Sequence, residues 1–403
     1  MPVNTYLLKP GELSLKGGNR KSFEVVLKRN VLRMLGASQA GLPRPDKAGA
    51  GGKIGLETGT GRFFVHCADE DCPLVEDVLS RLIGISGWAK TDRREKTVEA
   101  VLQACVEEGR KLFGQGITSF KIEARRTDKS FPLDSYGLRS EGGRAILDAV
   151  PGLKVDVRHP GGLIRIEIRE KAYVYSNARK GLGGLPVGTA GRGLLLLSGG
   201  IDSPVAGFLM ASRGMGIDAV HFHAYPYSSL EARQKAVRLA EILGAYCMGI
   251  RLHIIGFTKI QLRIKERSPL PWATVLLRMA MMECAEKLAL SIKDKCLITG
   301  ESLSQVASQT IENLTCTQSR IRLPVLRPLI GMDKENIIRK AEDIGAYETS
   351  ILPYEDCCTL FSPLHPVLRG SPREASALYE VLETEALIGE ALRDRETLKC
   401  GFC

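Results

Sequence analysis

Four consecutive leucines at residues 194–197 run directly into Ser198-Gly199-Gly200-Ile201-Asp202-Ser203-Pro204. An apolar run without polar alternation, too short for a helix, reads as a strand buried on both faces. Such strands belong to parallel sheets covered by helices. The glycines follow at once, and helical spacing resumes over residues 204–213. A buried strand, a Gly-rich turn and a helix start together make an anion cradle. Backbone N–H groups can approach a phosphate closely, and the helix N-terminus adds its positive end. Ser198 and Ser203 add hydroxyl donors, and Asp202 can hold a metal–pyrophosphate or orient the loop. In an open α/β sheet the ligand belongs at this carboxyl end of a strand. The segment lacks G-x-x-x-x-G-K-[ST], so it is not a Walker A loop.

The neighbouring pattern extends this reading. Residues 218–223, 248–253 and 296–299 are further buried-strand candidates, with helical stretches at 231–243 and 272–291. Strands and helices alternating at this spacing predict a doubly wound parallel α/β sheet. Ser371-Pro372-Arg373-Glu374 marks a late helix start, with Ser at the N-cap, Pro at N1 and Glu at N3.

The N-terminal half has another character. Strands are predicted at 5–8, 62–67, 87–90, 119–124, 154–157, 163–168 and 172–175. Helices are predicted at 21–35, 73–82, 97–113 and 140–150. Together they describe a small α+β unit. Gly-rich stretches at 35–62 and 180–193 read as a loop and a linker.

Charge separates the same two halves. The 403 residues carry 56 Lys and Arg against 46 Asp and Glu, for a net +10. Residues 1–190 hold 31 basic and 22 acidic side chains, whereas the remainder holds 25 and 24. A basic first half suits a polyanionic partner. The length predicts two or three domains. No apolar run approaches the roughly 18–20 residues of a membrane span. The N-terminus lacks a basic stretch followed by a long apolar one, so a cytoplasmic protein is expected. Eleven scattered cysteines, an odd number, point to a reducing compartment and not to a disulfide framework. Cys67-x4-Cys72 has no second pair nearby to complete a zinc site. Cys105, Cys247, Cys284, Cys296 and Cys316 fall in apolar stretches and read as core.

SGGIDS at 198–203 resembles the pyrophosphate loop of the N-type ATP pyrophosphatases, which adenylate a substrate and release pyrophosphate. Within that group the chain resembles the tRNA 4-thiouridine synthetases, a family also linked to thiamine thiazole synthesis. Four further stretches carry the resemblance: LKPGELSLKGGNR near the start, FKIEARRTDKSFPLDS at 120–135, GESLSQVASQT at 300–310 and PYEDCC at 353–358. The family usually reads Tyr-Gly-Glu where this chain has Pro10-Gly11-Glu12. The resemblance implies an N-terminal ferredoxin-like domain at 1–62 and a THUMP RNA-binding domain at 63–176. A PP-loop ATP pyrophosphatase domain follows at 177–403, with a C-terminal helix and a Cys-containing tail. The expectation is the short form of the family, without a rhodanese domain.

The resemblance also implies a chemistry: ATP-dependent tRNA sulfur transfer, expected at uridine 8. ATP with Mg2+ adenylates the uracil O4 and pyrophosphate leaves. A cysteine persulfide then attacks C4 and AMP departs. Nucleotide-binding positions carried over are Leu196, Leu197, Ser198, Gly199, Gly200, Ile201, Asp202, Ser203, His221, Phe222, Arg278, Gly300 and Gln309. Asp202 and Cys357 are the catalytic candidates, with the adjacent Cys358 leaving the sulfur assignment open by one residue. The tail Cys400-x-x-Cys403 is a candidate mobile source of the resolving thiol. Lys9, Lys16, Arg20, Lys121, Arg125, Arg126 and Lys129, with Phe131 beside the last cluster, are the candidate tRNA contacts. A cysteine desulfurase is the expected sulfur donor, and the resemblance allows a homodimer. A second acceptor, the C-terminal carboxylate of a thiamine sulfur-carrier protein, fits the same adenylation site. A non-catalytic RNA-binding protein is the third reading, and the intact loop at 198–203 argues against it.

Overall fold

The computed structural model describes residues 4–12, 17–38, 54–354, 363 and 365–401. It divides into two compact units, Met1–Leu185 and Pro186–Cys403.

Among the described residues the first unit has nine strands: β1 (Asn4–Pro10), β2 (Gly55–Gly59), β3 (Arg62–Cys67), β4 (Ile85–Arg94), β5 (Ser119–Arg126), β6 (Lys154–Val155), β7 (Gly162–Ile168), β8 (Ala172–Tyr175) and β9 (Arg179–Lys180). Its helices are α1 (Arg20–Ser38), α2 (Cys72–Arg81), α3 (Val98–Gly114) and α4 (Ser135–Ala149). The strands form one sheet in the order β2-β3-β1-β4-β8-β7-β5-β6, and β9 pairs with β4. The helices form for local reasons. α3 places Val101, Ala104, Cys105 and Leu112 on one buried stripe, and Thr97 caps it through the Ala100 N–H. Asp134 caps α4 in the same way through Gly137.

Strand pairing crosses the domain boundary expected at residue 62. β1 pairs antiparallel with both β3 and β4, so a cut at residue 62 would separate strands of one hairpin set. β4 is shared by two halves of the sheet: Ile85–Thr91 faces β1 and Asp92–Arg94 faces β8. The expected loop at 35–62 contains β2, which pairs with β3 from Gly55 to Gly59. The expected linker at 180–193 is divided, with its residues up to Leu185 in the first unit and the rest in the second. β9 pairs with β4 at Gly87 and Trp88, and the Gly181 and Gly183 N–H groups donate to Ser86 and Ile85 carbonyls.

The second unit holds β10 (Arg192–Leu196), β11 (Gly216–His223), β12 (Ile250–Gly256), β13 (Leu297–Ile298), β14 (Val325–Leu326) and β15 (Glu396–Cys400). Its helices are α5 (Asp202–Ser212), α6 (Leu230–Cys247), α7 (Thr258–Arg267), α8 (Ala273–Ile292), α9 (Ile311–Gln318), α10 (Lys334–Asp343), α11 (Tyr347–Ser350), α12 (Pro372–Val381) and α13 (Glu385–Arg393). The sheet order is β14-β13-β10-β11-β12-β15. The first five strands in that path are mutually parallel, and β15 closes the edge antiparallel to β12. The chain winds outward from β10 to β12, then returns to place β13 on the other side of β10. That reversal makes a crevice at the carboxyl end of β10. Leu194, Val220, Ile255 and Leu297 pack with α8 in the main core of this unit.

At the opposite end of the strands lies a buried charge cluster. Asp218 is fully buried and accepts from the Arg192 and Arg251 guanidinium groups. Asp294 is equally buried, its carboxyl oxygens lack hydrogen-bond donors, and Arg192 Nε stands 3.8 Å away. Burial pushes the Asp294 carboxyl up to about 7, helped by the negative Asp218. Burial also holds His253, beside this cluster, down to about 4 and therefore neutral. The raised Asp294 value sets the sign of a pH effect. Its contribution is complete below the unfolded carboxyl value and is lost as pH rises through about 7. Stability should therefore fall from pH 5 to pH 8.5 by on the order of 3 kcal/mol from this group. Denaturant titrations at the two pH values should show a smaller fall in Asp294→Asn; an equal fall would remove the assignment.

Candidate active site

The crevice at the end of β10 is a cavity lined from four stretches of chain. Leu196, Leu197, Ser198, Asp202 and Ser203 come from β10 and the turn into α5; Val220, His221 and Phe222 come from β11. Arg278, Met281 and Met282 come from α8, and Thr299, Gly300, Glu301 and Gln309 follow β13. Ten of the thirteen nucleotide candidates therefore meet around one space. Gly199, Gly200 and Ile201 form the turn between the lining residues.

The turn is held by its own serines. Ser198 N–H donates to Ser203 Oγ at 3.0 Å, and Gly200 N–H donates to Ser198 Oγ at 3.3 Å. The two hydroxyls are 3.1 Å apart. These contacts shape the loop. A Cβ at Gly200 would meet only Ser198 Oγ, at an ordinary 3.5 Å. Packing inside the protein leaves room for a side chain at that position.

At Gly300 packing inside the protein leaves no room for a side chain. A Cβ there would lie 2.7 Å from Ser203 N and 2.8 Å from Asp202 C. Gly300 therefore lets the end of β13 touch the first turn of α5, which fixes the loop against the strand.

Asp202, the first residue of α5, is tethered on both oxygens. Lys334 Nζ from α10 sits 2.7 Å from Oδ1, and Gln305 Nε2 donates to Oδ2 at 2.9 Å. Gln305 lay within the quoted GESLSQ stretch, whereas Lys334 had no sequence signal, because it lies more than 100 residues along the chain from Asp202. His221 Nδ1 is 3.0 Å from the Leu197 carbonyl. A carbonyl only accepts, so Nδ1 carries the proton and the ring is fixed against the strand end. Phe222 packs on Phe257 with ring centres 4.7 Å apart, giving the cavity an aromatic wall.

Arg278 does not stand alone. It ion-pairs with Glu301, which also receives Arg327 Nε at 2.6 Å and Thr299 Oγ1 at 2.9 Å. Burial raises the Glu301 carboxyl, but the two guanidinium groups outweigh it and hold it below the usual range. One carboxylate shared by two arginines leaves a positive excess at the cavity edge and locks the Arg278 fork. Glu301 lay within the quoted GESLSQ stretch; Arg327 was missed. We expect Glu301→Gln to raise the KM for ATP about tenfold with little change in kcat. Steady-state kinetics against ATP checks this, and a change confined to kcat would contradict it.

The cysteines divide. Cys357 and Cys358 lie outside the described residues, as does Cys403. Cys400 is described, and it is not in a mobile tail: it ends β15, pairs with Ile250 of β12 and is 3% exposed. Gly244 of α6 packs so closely on the Cys400 carbonyl that a Cβ would come within 2.6 Å. A thiol held this way cannot swing to a distant partner.

The candidate RNA residues all belong to the first unit. Arg125 and Lys129 are exposed, and Lys121 is partly so. Lys121 and Arg125, four residues apart on β5, share one face of the strand. Arg126 is turned inward and donates to the carbonyls of Phe131 and Leu133 at 2.9 and 3.4 Å, so it braces the loop after β5. Phe131 is core. Lys9 lies over the Tyr175 ring at 5.4 Å, and burial lowers its ammonium from the ordinary value. Arg20 pairs with Glu24, and Lys16 lies outside the described residues. An open groove that the sequence reading missed adds Lys90, Arg93 and Lys111 to the basic side chains of this unit.

Comparison with known proteins follows this geometry closely. Residues 188–384 match the model of the thiamine biosynthesis protein (ThiI) family, residues 95–177 the THUMP domain and residues 5–44 the ThiI ferredoxin-like domain. A probable tRNA sulfurtransferase of Treponema pallidum (strain Nichols) is 47% identical over 97% of this chain and 94% of its own length. One from Caldanaerobacter subterraneus is 44% identical over 94% of each chain. The crystal structure of a 4-thiouridine synthetase–RNA complex with bound ATP superposes with a TM-score of 0.88. It is 35% identical and covers 99% of this chain and 100% of its own.

Proposed function

The chain belongs to the tRNA sulfurtransferase family, and we propose that it uses the β10 crevice to activate a tRNA uridine with ATP for conversion to 4-thiouridine. The observation that carries this reading is the convergence of the 198–203 loop, Arg278, Gly300 and Gln309 on one cavity at the switch point of a parallel sheet.

In this reading the nucleotide base lies between Leu196, His221 and Phe222, and the phosphates meet the α5 N-terminus. The uracil O4 attacks the α-phosphorus, the bond to the β-phosphate oxygen breaks, and pyrophosphate leaves with its charge. Arg278 and Lys334 provide fixed cations for that charge. The donors also bear on magnesium. Asp202 and Glu301 are the two carboxylates of the lining, Glu301 is taken up by Arg278 and Arg327, and no group of three or more His, Cys, Asp or Glu side chains that could hold a metal ion occurs among the described residues. That set fits a magnesium held chiefly by the phosphates, with Asp202 as its protein ligand, and the ion would neutralise charge on the departing pyrophosphate.

Sulfur enters as a persulfide on Cys357. Its terminal sulfur attacks C4, AMP leaves, and a second thiol cleaves the resulting S–S bond to free the thiouridine. Since Cys400 is buried, Cys358 or an external thiol is the better resolving group. A cysteine desulfurase supplies the persulfide, uridine 8 is the target, and two copies of the chain form the working particle. The first unit, with its basic excess and its THUMP match, holds the tRNA.

The test combines purified protein, unmodified tRNA transcript, Mg-ATP, cysteine and a desulfurase. Thiouridine should appear, read by near-ultraviolet absorbance and mass, only when ATP is present. Absence of both thiouridine and pyrophosphate release would sink the proposal. The match to the thiamine biosynthesis family supports a second acceptor, the C-terminal carboxylate of a small sulfur carrier. Pyrophosphate release that needs the carrier and not tRNA would favour it.

A further inference from the structure

The first unit contains a pair of thiols that the thiolation chemistry does not use. Cys67 ends β3 and Cys72 opens α2, and their sulfurs are 4.0 Å apart. Four residues separate them, and the short helical turn Asp69–Asp71 carries the chain from one to the other. Cys72 Sγ also accepts from Lys90 Nζ at 3.5 Å. Among the eight described cysteines Cys72 alone is partly exposed; the other seven are buried. Burial pushes the Cys105 and Cys284 thiols up to about 12, as expected of inert core residues.

Three independent features therefore coincide at Cys72: access to solvent, a cation at the sulfur, and a second thiol within reach. Solvent access lets an oxidant in. The Lys90 ammonium stands against the attacking sulfur, which opens the ten-residue α2. The 4.0 Å separation must shrink by about 2 Å to reach bonding distance, which side-chain rotation at the partly exposed Cys72 can supply.

We propose that Cys67 and Cys72 form a reversible redox site that takes hydrogen peroxide as its oxidant and closes to an intramolecular disulfide. Cys72 sulfur attacks one peroxide oxygen, the O–O bond breaks, and a sulfenic acid and water result. Cys67 sulfur then attacks the Cys72 sulfur, and the hydroxyl leaves as a second water with the Cys67 proton. Two thiols have lost two electrons, and peroxide has become two waters. Held beside each other, the thiols react at high effective concentration, which offsets the burial of Cys67.

Both cysteines fall in the single tryptic peptide 63–81, since no Lys or Arg occurs between Arg62 and Arg81. The full-length protein is treated with limiting hydrogen peroxide, unfolded in an alkylating reagent, digested and weighed. The expected result is peptide 63–81 two hydrogens lighter and unalkylated at both cysteines, restored by dithiothreitol, while Cys105, Cys247 and Cys284 alkylate fully. Cys67→Ser should leave Cys72 as a sulfenic acid that dimedone traps. Cys72→Ser should leave Cys67 unoxidised. Full alkylation of peptide 63–81 after peroxide, or oxidation of Cys67 in Cys72→Ser, would overturn the proposal.

Discussion

Asn in place of Asp202 is expected to lower both pyrophosphate release and thiouridine formation about 1000-fold, with the fold intact. The replacement preserves size and the ability to accept from Gln305. What it removes is charge, and charge is what Asp202 contributes at the start of α5. Lys334 Nζ, 2.7 Å from its Oδ1, loses its partner and its fixed position at the loop. A magnesium held as proposed above, mainly by phosphates, would lose its protein carboxylate. Cys357→Ser should separate the two halves of the reaction. The tRNA should still be adenylated once, releasing one equivalent of pyrophosphate, but no thiouridine should form. Quench-flow measurement of labelled pyrophosphate alongside thionucleoside mass distinguishes the variants. Asp202→Asn activity within tenfold of wild type would refute the first claim. Thiouridine formation by Cys357→Ser, with loss in Cys358→Ser, would move the sulfur to the neighbour.

Gly300→Val should cost about 100-fold in rate, for a steric reason. The new Cβ would sit 2.7 Å from Ser203 N and 2.8 Å from Asp202 C. These are backbone atoms of the first helical turn, and they cannot rotate away as a side-chain tip can. Either β13 or the start of α5 must shift, and a displacement approaching 1 Å at a catalytic loop costs about 100-fold in rate. Overpacking of this kind also costs about 1–3 kcal/mol of stability. Gly300→Ala should show the same effects at smaller amplitude, because alanine carries only the Cβ. Thermal denaturation and kcat for pyrophosphate release measure both. Wild-type kcat in Gly300→Val would show that the loop tolerates a shift and that this contact does not position it.

The strands and helices around the phosphate loop were legible because their signals are local. Buried runs such as 194–197 and 218–223 announce strands, and α8 announces itself through apolar residues on every side. β15 was missed for an equally physical reason. Glu396-Thr-Leu-Lys-Cys400 alternates weakly, lies at a sheet edge, and finds its partner nearly 150 residues earlier in β12. The same failure turned Cys400 into a supposed tail thiol. β2 escaped because Gly55–Gly59 carries almost no apolar signal and is made a strand by its pairing with β3.

Ordering along the chain was enough to recognise the SGGIDS loop, the parallel sheet it implies and the family that shares it, since each depends on residues within a few positions of one another. The partners of those residues were another matter. Lys334 and Gln305 on Asp202, Arg327 on Glu301, and the contact of Gly300 with the α5 backbone join segments separated by 26 to 132 residues. Arg126 looked like a free cation for RNA, yet folding aims it at the carbonyls of its own loop. A side chain's type and spacing declare what chemistry it can do. Which charge it faces, and whether any charge is left over for a ligand, is settled when distant strands meet in a sheet.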